Sequence, residues 1–153
     1  MAEVNIPKAV AACRRDPAMM SAVGEVLREA DRAAAELGAV CLGGRACCKF
    51  DLFGHRLYVT PGELAVLTDG DGPPGDAERA RLRLCPYQLG PACGAYHRRP
   101  LGCRLFFCRG AAGARLAEQA EPLHESLRSA HKNLCHPYAY AELPAMFLQL
   151  HPN

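Results

Sequence analysis

Residues 85–108 read CPYQLGPACGAYHRRPLGCRLFFC, and they place Cys85, Cys93, Cys103 and Cys108 within one short stretch. Pro86, Pro91 and Pro100 alternate there with Gly90, Gly94 and Gly102. Proline lacks the backbone N–H and glycine loses the most backbone entropy on folding, so long helices or strands are disfavoured. Such a segment needs another source of order, and thiolates gathered on a metal would supply one. A second cluster lies upstream in CLGGRACC, residues 41–48, with Cys41, Cys47 and Cys48. Together the two clusters hold seven of the nine cysteines.

The totals limit what surrounds these clusters. A chain of 153 residues, half of them hydrophobic, can form one domain with a core. Its net charge is only +2, no run of Lys or Arg forms a basic patch, and tryptophan is absent. Neither the charge nor the aromatic content favours nucleic acid as a partner. No apolar run reaches membrane-span length, and the N-terminal residues lack a signal-peptide pattern. The expectation is a cytoplasmic protein with no membrane partner, in which thiols stay reduced. In that setting an odd number of clustered cysteines points to metal ligation or redox chemistry before disulfides.

Outward from the clusters, local signals predict helices. Asp16-Pro17 is an N-cap acceptor followed by proline at the first helical position. Met20, Val23, Leu27, Ala30, Ala34 and Leu37 then recur at steps of three and four, and Gly38 fits the stop. A long helix is expected over 17–37, with Cys13 an incidental thiol ahead of it. Residues 50–53 and 56–59 read as strands of a hairpin around Gly54-His55. Thr60 and Glu63 have capping-box spacing, predicting a short helix over 61–67. Residues 69–76 read as a loop, and 77–84 as a helical turn or a direct lead into Cys85. Leu116, Ala120, Leu123, Leu127, Ala130 and Leu134 mark a second helical face, kinked or restarted at Pro122. A short helix near 139–149 closes a helical region spanning 112–149. The expected fold is α+β, mostly α: a single domain with long flanking helices around a cysteine-rich core, 41–108, and a short hairpin.

The two clusters together resemble the YkgJ-type cysteine-cluster family, described as a zinc- or iron-chelating domain. The matching residues are Cys41, Gly44, Cys47 and Cys48; Thr60 and Glu63; Cys85-Pro86-Tyr87; and Cys93, Tyr96, Arg99-Pro100, Cys103-Arg104, Phe106 and Cys108. They span about 41–108. Gly44 stands where the family pattern has a cysteine, leaving seven thiols, so Cys135 or a histidine would have to supply the missing ligand of a second four-ligand site, unless there is one site. The resemblance implies metal ligation by Cys41, Cys47, Cys48, Cys85, Cys93, Cys103 and Cys108. Adjacent Cys47 and Cys48 point apart along an extended chain, so one of the two ligating is the simpler arrangement.

Four thiolates suit zinc or an iron–sulfur cluster. Zinc knuckles pair cysteines two to four residues apart, and only Cys103 and Cys108 come within that range. The wide spacing favours an iron–sulfur cluster gripped from several loops, with zinc as the alternative. The resemblance extends to a flagellin lysine N-methylase group thought to hold a [4Fe–4S] cluster. Tyr96, Arg99 and Arg104 are the other residues placed beside the cofactor. Tyr96 is expected to wall off the site as a core side chain, and Arg99 to donate to loop carbonyls or to an acid such as Glu63. Arg104 is expected to hydrogen-bond a cluster sulfur or lower a thiol pKa. His97 is the nearest non-thiol candidate ligand, while His55, His124, His131 and His136 read as surface or outer groups. No catalytic triad, phosphate loop or carboxylate pair is evident, so any catalysis would belong to the metal site. The expected role is redox or accessory to an enzyme or other partner protein; a zinc-binding or metal-storage module and a metal-free thiol protein are the alternatives.

Overall fold

The computed structural model describes residues 3–38, 56–70, 72–90, 92–105 and 111–152, and for 111–113 the backbone alone. The chain begins with two helices. α1, Ile6–Arg15, starts at Asn5, whose side chain accepts the Lys8 N–H at 3.0 Å. Ile6, Ala9, Val10 and Cys13 form its buried face. The 17–37 reading did not include this helix, and Cys13 lies within it, fully buried rather than ahead of the first helix. α1 stops at Asp16 because a residue before proline is driven out of the helical region; its φ and ψ are −104° and 102°. The same Asp16 then caps α2, Pro17–Glu36, by accepting the Ala18 N–H at 3.0 Å.

The buried stripe of α2 is Met19, Val23, Val26, Leu27, Ala30 and Ala34, so it is Met19 rather than Met20 that leads it. Gly38 follows with φ 67°, the left-handed stop expected of it. Glu25, Arg28 and Arg32 make an exposed ion-pair lattice on the opposite face, which contributes little in water.

β1, Tyr58–Val59, leads into α3, Pro61–Leu67. The capping box is present: the Thr60 hydroxyl accepts the Glu63 N–H at 3.2 Å, and the Glu63 carboxylate accepts the Thr60 N–H at 2.8 Å. α3 packs against α1 and α2. Gly62 is required by that approach, since a Cβ there would lie 2.9 Å from Val23 and 3.0 Å from Met19. Residues 69–76 lead to α4, Ala77–Arg81, capped by Asp76. The segment after Cys85 is more regular than its composition suggests. β2, Gln88–Leu89, and β3, Ala92–Cys93, pair antiparallel with Gln88 opposite Cys93. A 3₁₀ turn, Tyr96–Arg98, and α5, Leu101–Leu105, follow.

α6, Ala111–Ala117, and α7, Ala120–Asn133, complete the helical face. Pro122 falls in the first turn of α7, where an N–H has no helical partner to lose, so the restart and not the kink is what occurs. Then come β4, Ala141–Glu142, and α8, Leu143–Leu148. β1 pairs antiparallel with β4, Tyr58 opposite Glu142. The hairpin expected over 50–59 therefore differs: its second arm finds a partner from the far end of the chain, and 50–55 lie outside the described residues. A hairpin does exist, at 88–93. α2 packs on α5 and α7, and α4 on α8, around one core that includes Val10, Met19, Leu64, Leu127, Met146 and Phe147. The architecture is α+β, mostly α.

Candidate metal centre

Three motif cysteines are in the described residues, each on a short segment anchored by neighbours. Cys85 is buried at the entry to the β2–β3 hairpin. Arg79, in α4, donates from Nε to the Cys85 carbonyl at 2.9 Å and from a terminal nitrogen to Gln88 Oε1 at 3.0 Å. The Asp76 N–H reaches the Pro86 carbonyl at 2.8 Å, and the Gly94 N–H reaches that of Tyr87 at 2.7 Å. These bonds close the Cys85–Cys93 loop onto α4, with Cys93 half-buried in β3. Gly90, at the hairpin turn, has φ 58°, a left-handed conformation that glycine adopts freely. Cys85 and Cys93 carry free thiols.

Cys103 is buried in α5. Two contacts set that helix in place. The Leu101 N–H at its start is accepted by Glu63 Oε1 at 2.9 Å, so one buried carboxylate caps α3 and holds α5. Arg104, 8 % exposed, pairs with Asp31 of α2 at 2.6 Å and donates to the carbonyls of Arg99 and His97 at 2.7 and 3.0 Å. The described donors of Arg104 thus bind α2 and the preceding turn. Burial is the leading influence on Glu63 and raises its carboxyl above the ordinary range, against the lowering effect of the two backbone N–H groups it accepts.

Arg99 donates to the carbonyls of Tyr96 and Cys103, at 2.9 and 3.3 Å, so of its two expected roles the loop carbonyls are what it meets, and Glu63 is committed elsewhere. The Arg99 guanidinium lies 4.1 Å from the Tyr96 ring centroid. Tyr96 is 45 % exposed, which corrects its placement as a core side chain. His97 is exposed and stacks edge-on against Tyr96 at 5.4 Å.

The histidines of α7 need a larger correction. His131 is fully buried and His124 is 8 % exposed, so neither is a surface group. The signal was present in the periodicity, since His131 stands four residues after Leu127 and His124 three before it, on the apolar face. His136 binds Asp16 across 2.8 Å, and that hydrogen bond is the main reason the Asp16 carboxyl sits below the usual range. Cys135 is exposed and has φ 58°. The His136 N–H meets the His131 carbonyl and the Cys135 N–H that of Lys132, at 2.8 and 3.3 Å. This is a Schellman stop with cysteine in the place usual for glycine.

Cys41, Cys47, Cys48 and Cys108 lie outside the described residues, as do His55 and Gly44. Among the described residues, no group of three or more His, Cys, Asp or Glu is placed to hold a metal. The donor set of the motif as a whole, seven thiols, fits a soft metal or an iron–sulfur cluster by its chemistry. No helix among the described residues is long and apolar enough to cross a membrane. Comparisons with family models, curated proteins and solved structures returned no match.

Proposed function

We propose that this is a metal-binding cysteine-cluster protein that holds an iron–sulfur cluster of the [4Fe–4S] type, with ligands drawn from Cys41, Cys47, Cys48, Cys85, Cys93, Cys103 and Cys108. The reading rests on the motif in the sequence. The observation that supports it best is the free, partly accessible Cys93 thiol on a hairpin whose base is fastened at Cys85 by Arg79. A thiol on an anchored turn loses little further entropy on ligation, so such a turn suits metal binding.

When bound, the cluster would supply one-electron transfer. The protein's own part is positional. Arg79 holds the Cys85 carbonyl, Arg99 holds that of Cys103, and Arg104 with Glu63 fixes the helix that carries Cys103. Tyr96 and Arg99 offer an exposed aromatic–cationic face beside these segments, suited to contact with a redox partner or an enzyme. A cytoplasmic setting, where cysteines remain reduced, agrees with this reading.

The test is metal and acid-labile sulfide content, with an absorption spectrum, on protein purified without oxygen. Iron and sulfide in near-equal amounts, at about four each per chain as a [4Fe–4S] cluster requires, and their loss in Cys93→Ser, would support the proposal. Zinc without sulfide would replace it with a structural or chelating module. Protein free of metal, with its thiols paired, would sink both.

A further inference from the structure

A cavity of about 340 Å³ opens between α5, α7 and the β1–β4 ribbon, away from the Cys85–Cys93 hairpin. Its size falls within the range of small-ligand sites. Three rings border it: Tyr58, Tyr140 and His124. The Tyr58 and Tyr140 centroids are 5.3 Å apart, and that of His124 is 4.3 Å from Tyr140, so the rings form one continuous aromatic wall. Tyr58 is 39 % exposed and Tyr140 49 %. Pairing of β1 with β4 explains why the two tyrosines touch. It does not explain why both residues stay so exposed while lining one cavity.

The charges bordering this cavity have one sign left over. Arg128 is already committed, paired with Glu125 and lying 5.5 Å from the Tyr138 ring centroid. Glu121 has no ion-pair partner among the described residues and faces the same cavity. Glu63 forms part of the buried wall, with both carboxylate oxygens accepting backbone N–H groups. His124 Nε2 is hydrogen-bonded with the Tyr138 hydroxyl at 2.7 Å. Burial is the main reason its ring is held below the ordinary histidine range, and so it adds no positive charge near neutral pH. Leu101 and Leu105 supply apolar surface opposite the rings.

We propose that this cavity binds a small organic cation of the quaternary ammonium class. Aromatic faces attract a cation through the ring quadrupole, and Glu121 supplies the complementary charge at the mouth. A primary ammonium is a poorer fit, because it is compact and strongly hydrated and its three N–H groups demand acceptors, of which only Glu121 carries a free negative charge beside the Tyr58 and Tyr140 hydroxyls. A trimethylammonium head is weakly hydrated, makes no such demand, and packs its methyl groups on Leu101, Leu105 and the tyrosine rings. An anion would find its one cationic candidate, Arg128, already taken.

The test is calorimetric titration of the full chain with three ligands of matched shape: choline, its neutral isostere 3,3-dimethylbutan-1-ol, and the anion 3,3-dimethylbutanoate. Choline should bind at least about tenfold more tightly than the alcohol, and the anion more weakly than either. Glu121→Gln, an exposed change that leaves the core untouched, should weaken choline severalfold without altering alcohol binding. Tyr140→Leu should abolish the preference for choline over the alcohol. Equal affinity for choline and the alcohol, preference for the anion, no binding of choline up to about 10 mM, or full choline binding by Glu121→Gln would each overturn the proposal.

Discussion

Replacing His131 with phenylalanine should destabilise the fold through two stranded backbone groups and remove part of its acid sensitivity. The imidazole is fully buried, with Nδ1 3.0 Å from the Pro137 carbonyl and Nε2 3.3 Å from the Gly62 nitrogen. A carbonyl can only accept, so Nδ1 carries the proton and Nε2 accepts the Gly62 N–H: the tautomer is set by its partners. Phenylalanine keeps a ring of similar size and satisfies neither group. The buried Gly62 N–H left unpaired costs about 1–3 kcal/mol, and the Pro137 carbonyl, in an exposed residue, adds less, so the loss should be at least about 1–3 kcal/mol. With a urea m-value of about 2 kcal/mol/M, the unfolding midpoint should fall by roughly 0.5–1.5 M.

The pH dependence carries a sign that a simple packing defect would not. Burial, first among the causes, lowers the His131 pKa below its ordinary value, with the neighbouring imidazole of His136 acting in the same direction. A proton on Nε2 would also face the Gly62 N–H at the positive end of α3. The unfolded chain therefore binds this proton more readily. The contribution of His131 is full above about pH 6.5 and is lost as pH falls toward the folded value, at up to about 1.4 kcal/mol per pH unit. His124 has the same sign, and Glu63, raised by burial, the opposite one. Both are present in wild type and variant, along with the Asp16–His136 pair and the Tyr138 ring that faces His131, so the difference between the two proteins isolates His131. Urea unfolding at pH 7.5 and 5.5 measures it. The gap should narrow at the lower pH; a gap below about 1 kcal/mol, or one equal at both pH values, would refute the assignment of a neutral, doubly bonded imidazole.

Two other substitutions test the packing of the loops. Gly75→Ala would put a Cβ 2.6 Å from two ring atoms of Phe147 and 3.0 Å from Tyr87 Cζ, where the two rings already pack edge-on at 5.8 Å. The cost should be about 1–3 kcal/mol, read as a fall of several degrees in a thermal scan; an unchanged transition would mean that the 69–76 loop yields freely. Cys135→Gly should raise stability by about 1 kcal/mol, because the residue holds a left-handed conformation with φ 58°. The same variant should keep whatever metal the wild type proves to hold; loss of metal would make Cys135 a ligand.

What could be read from the sequence was short-range chemistry. The Asp16 cap, the Thr60–Glu63 box, the Gly38 stop and the Pro122 restart each depend on residues within one turn of one another, and all four are present. α1 carries the same kind of local signal, an Asn5 cap, Pro7 and an apolar face at Ile6, Ala9, Val10 and Cys13, so it was as legible as α2, and placing Cys13 ahead of the first helix overlooks it. The partner of β1 was not legible: strands of two residues have no alternation to detect, and Tyr58 meets Glu142 across most of the chain. His124 and His131 were misplaced by residue type, since histidine is usually exposed, although both stand on the stripe defined by Leu123 and Leu127. Among the described motif residues, the segments that carry the cysteines were identified, and so was Arg99 as a donor to loop carbonyls, but not Arg79 or the Arg104–Asp31 pair.

Those holding groups bear on what a metal would do. The start of α3 is where three parts of the chain meet: His131 accepts the Gly62 N–H, and Thr60 and Glu63 exchange capping bonds. From the same carboxylate the Leu101 N–H is held, and with it the helix of Cys103, which Arg104 fastens again to Asp31. At the other end of the segment Arg79 and Asp76 secure the Cys85 hairpin to α4. A stretch so rich in proline and glycine was expected to need a further source of order, which a metal would supply, yet Cys85, Cys93 and Cys103 sit on elements that backbone and side-chain hydrogen bonds already anchor. A metal bound by these thiols would join segments whose separate conformations are set, and the entropy of ordering them would then weigh less against ligation than in a loop organised only by its ligands.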